Sequence, residues 1–235
     1  MGYDSLALVG AAGGAGVTRL TLEYATLLSH DGRDVAVLDA AYATQGLADR
    51  TPGRIDPDMT ALCLEKRPLE VGLLDREAGA GRLAVCPARA PFERVARAKT
   101  PDAAAAFEDR IAEAARAFDH VLVDVPPVAA NQAVAAVSAA EAVAVVADAA
   151  RADDAVPRTR DRLVDVGVDP DATVVTRTTD HPDADATVPT LSDDPPAVER
   201  DETARDRVGA ALEATMGLSV NVGEDTEGLR DRLPL

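Results

Sequence analysis

Residues 6 to 20, LALVGAAGGAGVTRL, run from an apolar stretch into closely spaced glycines and out into a helical pattern. Glycines let backbone amides crowd round an anion, and a helix that starts just after them adds the positive end of its dipole. Two phosphate-binding spacings fit here. Gly10, Gly14 and Gly16 satisfy G-x-x-x-G-x-G, a loop for a pyrophosphate. Gly13, Gly14, Ala15, Gly16, Val17 and Thr18 lie over the end of G-x-x-x-x-G-K-[ST], a triphosphate loop whose closing hydroxyl holds Mg2+. Two aspartates close apolar runs further along, Asp39 in DVAVLDA (34–40) and Asp124 in HVLVDVPP (120–127). Carboxylates in such places take ribose hydroxyls or a hydrated cation.

These residues need elements to bring them together. SLALVG (5–10), DVAVLDA, RLAVCPA (82–88), HVLVDVPP, AVAVVAD (142–148) and ATVVTRT (172–178) read as buried strands. Helical spacing recurs over 18–30, with Leu20, Tyr24, Leu27 and Leu28 inward. It recurs over 101–118, with Phe107, Ile111, Ala114 and Phe118 inward, and over 129–140, 153–166 and 201–216. Residues 41–58 read as loop, 59–77 as weak helix, and 179–196 as an acidic, proline-rich stretch broken by an apolar piece at 186–191. Strands alternating with helices predict a three-layer, doubly wound α/β fold, its mostly parallel sheet covered by helices on both faces. One unit spans 1–220, and 221–235 is a short acidic tail. In such a sheet Gly10, Asp39 and Asp124 converge at the carboxyl ends of the strands.

Composition narrows the partners. Forty-one acidic residues against 24 basic ones give a net charge of −17, and Lys66 and Lys99 are the only lysines. An acidic, lysine-poor surface suits a salt-rich cytosol, so a halophilic source is expected. The same charge disfavours nucleic acid and anionic membrane as partners. Cys63 and Cys86 lack metal-ligand spacing and fit a reduced, cytoplasmic setting. His30, His120 and His181 have no ligand spacing either and read as surface or loop residues. One local exception to the acidity, Arg82, Arg89, Arg94, Arg97 and Lys99 against Glu93 alone, reads as a docking face or a solvated one.

The two loop readings part on the rest of the chain. The G-x-x-x-G-x-G loop with Asp39 resembles that of short-chain dehydrogenases, but their Y-x-x-x-K pair is missing, since the tyrosines are Tyr3, Tyr24 and Tyr42. A dinucleotide module without that chemistry stays open. The order of AGGAGVT (12–18), LDAAYATQGL (38–47), RLAVCPA, FDHVLVDVPP (118–127) and VVTRT resembles the MinD/ParA family of deviant P-loop ATPases over nearly the whole chain. The resemblance implies ATP or ADP with Mg2+ on Gly13, Gly14, Ala15, Gly16, Val17 and Thr18. Thr18 and Asp124 would be at the metal, Asp39 beside the phosphates, and Thr176 and Arg177 at the base.

Departures from the family pattern fall on its chemistry. Ala12 stands at the signature lysine, Val17 at the loop lysine, Ala41 at the water-positioning aspartate and Thr176 at the base-contacting asparagine. Without the two ammonium groups the charge developing on a phosphoryl group loses its main stabilisation. Arg19, turned about 100° from Thr18 on the helix, is a poor substitute. The expectation is a non-hydrolysing relative that pairs with a protein, itself or an active relative, with weak nucleotide binding as the alternative. A plainer reading stands beside it: glycines for a tight turn, Thr18 as a helix-start hydroxyl, and the aspartates bonded to loop backbone. Two close carboxylates repel, so a metal or an arginine is expected beside them.

Overall fold

The computed structural model describes residues 2–193 and 195–220. In chain order it runs β1 (Ser5–Gly10), α1 (Val17–His30), β2 (Val35–Asp39), α2 (Gly46–Asp49), α3 (Met59–Glu65), β3 (Leu74–Arg76), β4 (Leu83–Cys86) and α4 (Phe92–Arg97). It continues with α5 (Pro101–Ala117), β5 (His120–Val125), α6 (Asn131–Ala139), β6 (Ala142–Asp148), α7 (Ala152–Asp165), β7 (Ala172–Thr176), β8 (Ala186–Val188) and α8 (Glu202–Met216). The eight strands form one sheet in the order β3-β4-β2-β5-β1-β6-β7-β8, parallel except for β3. The expected α/β architecture is therefore present.

Central strands are buried on both faces, which is why they read as unbroken apolar runs. The pleat divides them. Leu6 and Leu8 of β1 join a core with Leu20, Tyr24 and Leu28 of α1 and Val208, Leu212 and Met216 of α8. Ala7 and Val9 face the other way, into a core with Phe107 and Ile111 of α5 and Ala133 and Val137 of α6. Helix ends follow their sequence signals. Asp58 caps α3 by accepting from the Ala61 amide, Asp201 caps α8 by accepting from the Ala204 amide, and Pro101 opens α5.

Several expectations need correcting. The stretch 41–58 contains the single-turn α2; 59–77 holds the expected helical pieces as α3 and a 3-10 turn at Leu69–Gly72, but also the unforeseen edge strand β3. Helix α4 and strand β8 were not foreseen. His120 lies buried in β5, accepting or sharing a hydrogen with Arg33 at 3.1 Å, rather than on the surface. Burial and the adjacent Arg33 cation both depress its basicity. The expected acidic tail, 221–235, lies outside the described residues.

Candidate functional site

Strand β1 ends at Gly10, and the chain reaches α1 through a turn that only glycine makes without strain. Gly14 and Gly16 sit at φ +80° and +88°. Nothing among the described residues accepts from the backbone amides of Gly14, Gly16, Val17 or Thr18. The carbonyls of the same loop are taken up from outside. Arg151 Nη2 donates to the Gly13 carbonyl at 2.5 Å, Arg177 Nη1 to the Gly14 carbonyl at 3.1 Å, and Thr176 Oγ1 to the Ala15 carbonyl at 2.9 Å. Arg177, itself at φ +61°, is held in turn by Asp148 at the end of β6. Carbonyls drawn outward and free amides at a helix start make the concave side of the loop a donor surface.

That surface opens on a cavity of about 270 Å³. The loop from Gly10 to Thr18, Ala41, Gly46, Asp124 and Pro127 form its walls, and Arg50 and Arg177 stand at its rim. Thr18 Oγ1 donates to Asp124 Oδ2 at 2.5 Å. Val17 turns its side chain to the base of the loop, where a Cβ built on Gly10 would meet Val17 Cγ2 at 3.1 Å. An apolar side chain therefore lies at the position expected of the loop lysine.

The two aspartates are adjacent, paired in register across β2 and β5, but they do different things. Asp124 faces the cavity. Asp39 is absent from its walls. Its carboxylate accepts from the Ala41 amide at 2.7 Å and the Ala88 amide at 3.0 Å, tying the ends of β2 and β4 together. Burial, then the Asp124 charge, raises Asp39 to about 8, so it is protonated at neutral pH. Burial raises Asp124 to about 6, against the pull of the Thr18 hydroxyl and the Arg50 cation. Arg50 acts on Asp124 and not on Asp39. Arg19 also lines the cavity; its Nε donates to the buried Glu23 at 2.5 Å, while its buried Nη2 has no partner among the described residues.

No protein-family model matches the chain, and no curated protein does. Solved structures do. The chain is similar to the septum site-determining protein MinD of Pyrococcus horikoshii OT3 in complex with Mg-ADP, with a TM-score of 0.70 and 17% identity over 89% of this chain and 94% of that one. It is similar to a chain of the MinC:MinD cell division protein complex of Aquifex aeolicus, with a TM-score of 0.69 and 20% identity over 92% and 97%. Cobyrinic acid a,c-diamide synthase from Mycobacterium smegmatis with bound ADP and magnesium gives a TM-score of 0.65 and 19% identity over 88% and 93%. The fold is that of the MinD-type P-loop ATPases. At these identities the likeness is one of fold.

Strand order bears on the remaining loop reading. A dinucleotide-binding sheet pairs β1 with β2, so that the acidic end of β2 reaches the ribose. In this MinD-type sheet β5 stands between them, and Asp124 rather than Asp39 is neighbour to the loop. Of the residues expected at the site, Gly13, Gly14, Ala15, Gly16, Val17, Thr18, Asp124 and Arg177 come together. Thr176 acts from behind the loop, and Asp39 lies beneath it. Missed in the sequence were Arg50 and Arg151, whose distant positions carry no local signature, and Asp58. That buried carboxylate accepts from the Arg89 amide and pairs with Arg94.

Proposed function

We propose that the chain is a MinD/ParA-type protein that does not hydrolyse ATP and serves in the cytoplasm as an interaction or regulatory partner in spatial organisation. Cell division, partitioning or positioning are the processes in view, and its partner is a second copy or an active relative. The observation that carries this reading is Val17. Its methyl group packs on Gly10 where an ammonium would reach the β- and γ-phosphates, and Ala41 offers the attacking water no carboxylate. Preorganised charge is usually the largest part of phosphoryl-transfer catalysis, and here it is reduced to arginines at the rim.

A second reading is favoured by the free amides: weak ATP or ADP binding without turnover. The residues present fit that group in part. Gly14, Gly16, Val17 and Thr18 would hold phosphates through their amides, Thr18 and Asp124 would hold Mg2+, and Arg50 and Arg177 would flank them. The bound nucleotide would supply a charged, Mg2+-bridged phosphate chain, and this chain's residues would only position it.

Calorimetry with ATP–Mg2+ and ADP–Mg2+ in molar salt, with NADH as control, tests both readings alongside a phosphate-release assay. Phosphate release at the buffer blank is expected whether or not heat is seen. Heat with ATP selects the second reading. Release above the blank that Asp124→Ala abolishes overturns the proposal.

A further inference from the structure

Helix α4 carries the most exposed large apolar side chain among the described residues. Phe92, at the start of the helix, is 88% exposed, while Val95, one turn on, is buried. Around Phe92 the basic stretch of the sequence divides. Arg82 lies at the far end of β4, where it pairs with Asp75 and stacks on Phe118. Arg94 turns inward to Asp58 at 2.9 Å. That leaves Arg89, Arg97 and Lys99 as the cations near Phe92 in the chain, with the exposed Glu93 the one acidic residue among them. No acidic side chain among the described residues pairs with any of the three. Such an arrangement is out of keeping with a chain of net charge −17.

Phe92 and these cations stand on a stiff base. Gln45 Nε2 donates to the Ala90 carbonyl at 2.7 Å, and Asn131 Nδ2 donates to the Lys99 carbonyl at 2.9 Å. Buried Asp58 fixes the Arg89 amide and the Arg94 guanidinium. The surface therefore adjoins residues 44–46, two of which line the loop cavity. Its ingredients, an aromatic flanked by arginines on a rigid element, are those of an interaction hot spot.

We infer that the α4 surface, with Phe92 as anchor and Arg89, Arg97 and Lys99 around it, docks a short acidic segment of a partner protein that offers an apolar pocket or side chain to Phe92. Charge decides the class of partner. A bilayer or a duplex extends its negative charge well beyond this small patch and meets the acidic remainder of the surface. A short acidic segment stays within the patch, and at cellular salt the rest of the chain is screened beyond roughly 8 Å. A second copy presenting the same patch would set cations against cations. The inference gives the partner chemistry for the scaffold reading but does not depend on whether the loop holds nucleotide, so the calorimetry above can fail without touching it.

The test places a photo-crosslinker at the anchor of the full chain, Phe92→p-benzoyl-phenylalanine, in its native cells, and maps the adducts by mass spectrometry. The expected adduct is on a protein segment rich in Asp or Glu beside an apolar residue. A labelled synthetic copy of that segment should bind the wild-type chain. Binding should weaken about tenfold or more with Phe92→Ala, as much again with Arg89→Glu/Arg97→Glu, and be lost when the acids of the peptide are replaced by amides. Circular dichroism of each variant separates lost docking from lost folding. Adducts on this chain itself, on lipid or on nucleic acid, or no adduct, overturn the inference. So does a segment whose binding ignores the charge reversals.

Discussion

Val17 and Thr18 are neighbours with opposite fates. Thr18 keeps a polar task, donating to Asp124, whereas Val17 has become part of the packing under β1. If the missing ammonium limits nucleotide affinity, Val17→Lys should tighten ATP–Mg2+ binding about tenfold or more, roughly 1.4 kcal/mol. Turnover should remain at the blank because Ala41 is unchanged. Calorimetry and phosphate release on the one variant read both outcomes. Asp39 makes a separate prediction. Its carboxyl, raised to about 8, and that of Asp124, raised to about 6, hold protons in the native chain that the unfolded chain has already released. Stability is then greatest below the unfolded carboxylate range and falls as the pH rises from about 4 to about 8. Urea midpoints across that window should decline, and Asp39→Asn should flatten the decline. The type and place of Val17, Ala12 and Asp124 were legible in the sequence because the loop and strand patterns fix their neighbours. That Asp39 is spent on the amides of Ala41 and Ala88 was not, because Ala88 is 49 residues away, just past the end of another strand.

The elements are joined by buried polar groups as well as by their apolar faces. Glu23 is fully buried on α1 and accepts from the Ala197 and Val198 amides at 2.9 and 3.0 Å, besides pairing with Arg19. It fastens the segment that leads into α8 to the helix that leaves the loop. Glu23→Ala leaves two amides and a guanidinium without their acceptor, and should cost about 3–5 kcal/mol in urea unfolding at fixed salt. Glu23→Gln keeps one acceptor and should cost less. The long helices and central strands were legible to within a residue or two, because burial on both faces writes continuous apolar runs and a single buried face writes a helical period. The short elements were not. Strand β3 has three residues, none of them buried, so its pairing with β4 leaves no pattern in the sequence. Helix α4 buries only Val95.

Across the whole molecule the acidic surface sets the conditions of folding. With a net charge of −17 and a pI of about 4.5, self-repulsion at neutral pH works against the compact state. The reach of that repulsion shrinks from about 10 Å at 0.1 M salt to about 3 Å at 1 M. The thermal midpoint should therefore climb steeply with KCl, and far-UV ellipticity should drop when salt is dialysed away. A midpoint indifferent to salt would remove the argument for a halophilic source. No helix among the described residues is long and apolar enough to cross a membrane.

Thr176, Arg151 and Arg177 hold the glycine loop by its carbonyls, and the loop lines the cavity. None of those three bonds is made by a side chain of Ala12, Val17 or Ala41. Replacements at these positions therefore leave the moorings of the loop in place, and a lysine restored at position 17 would report a change of chemistry on an unchanged scaffold.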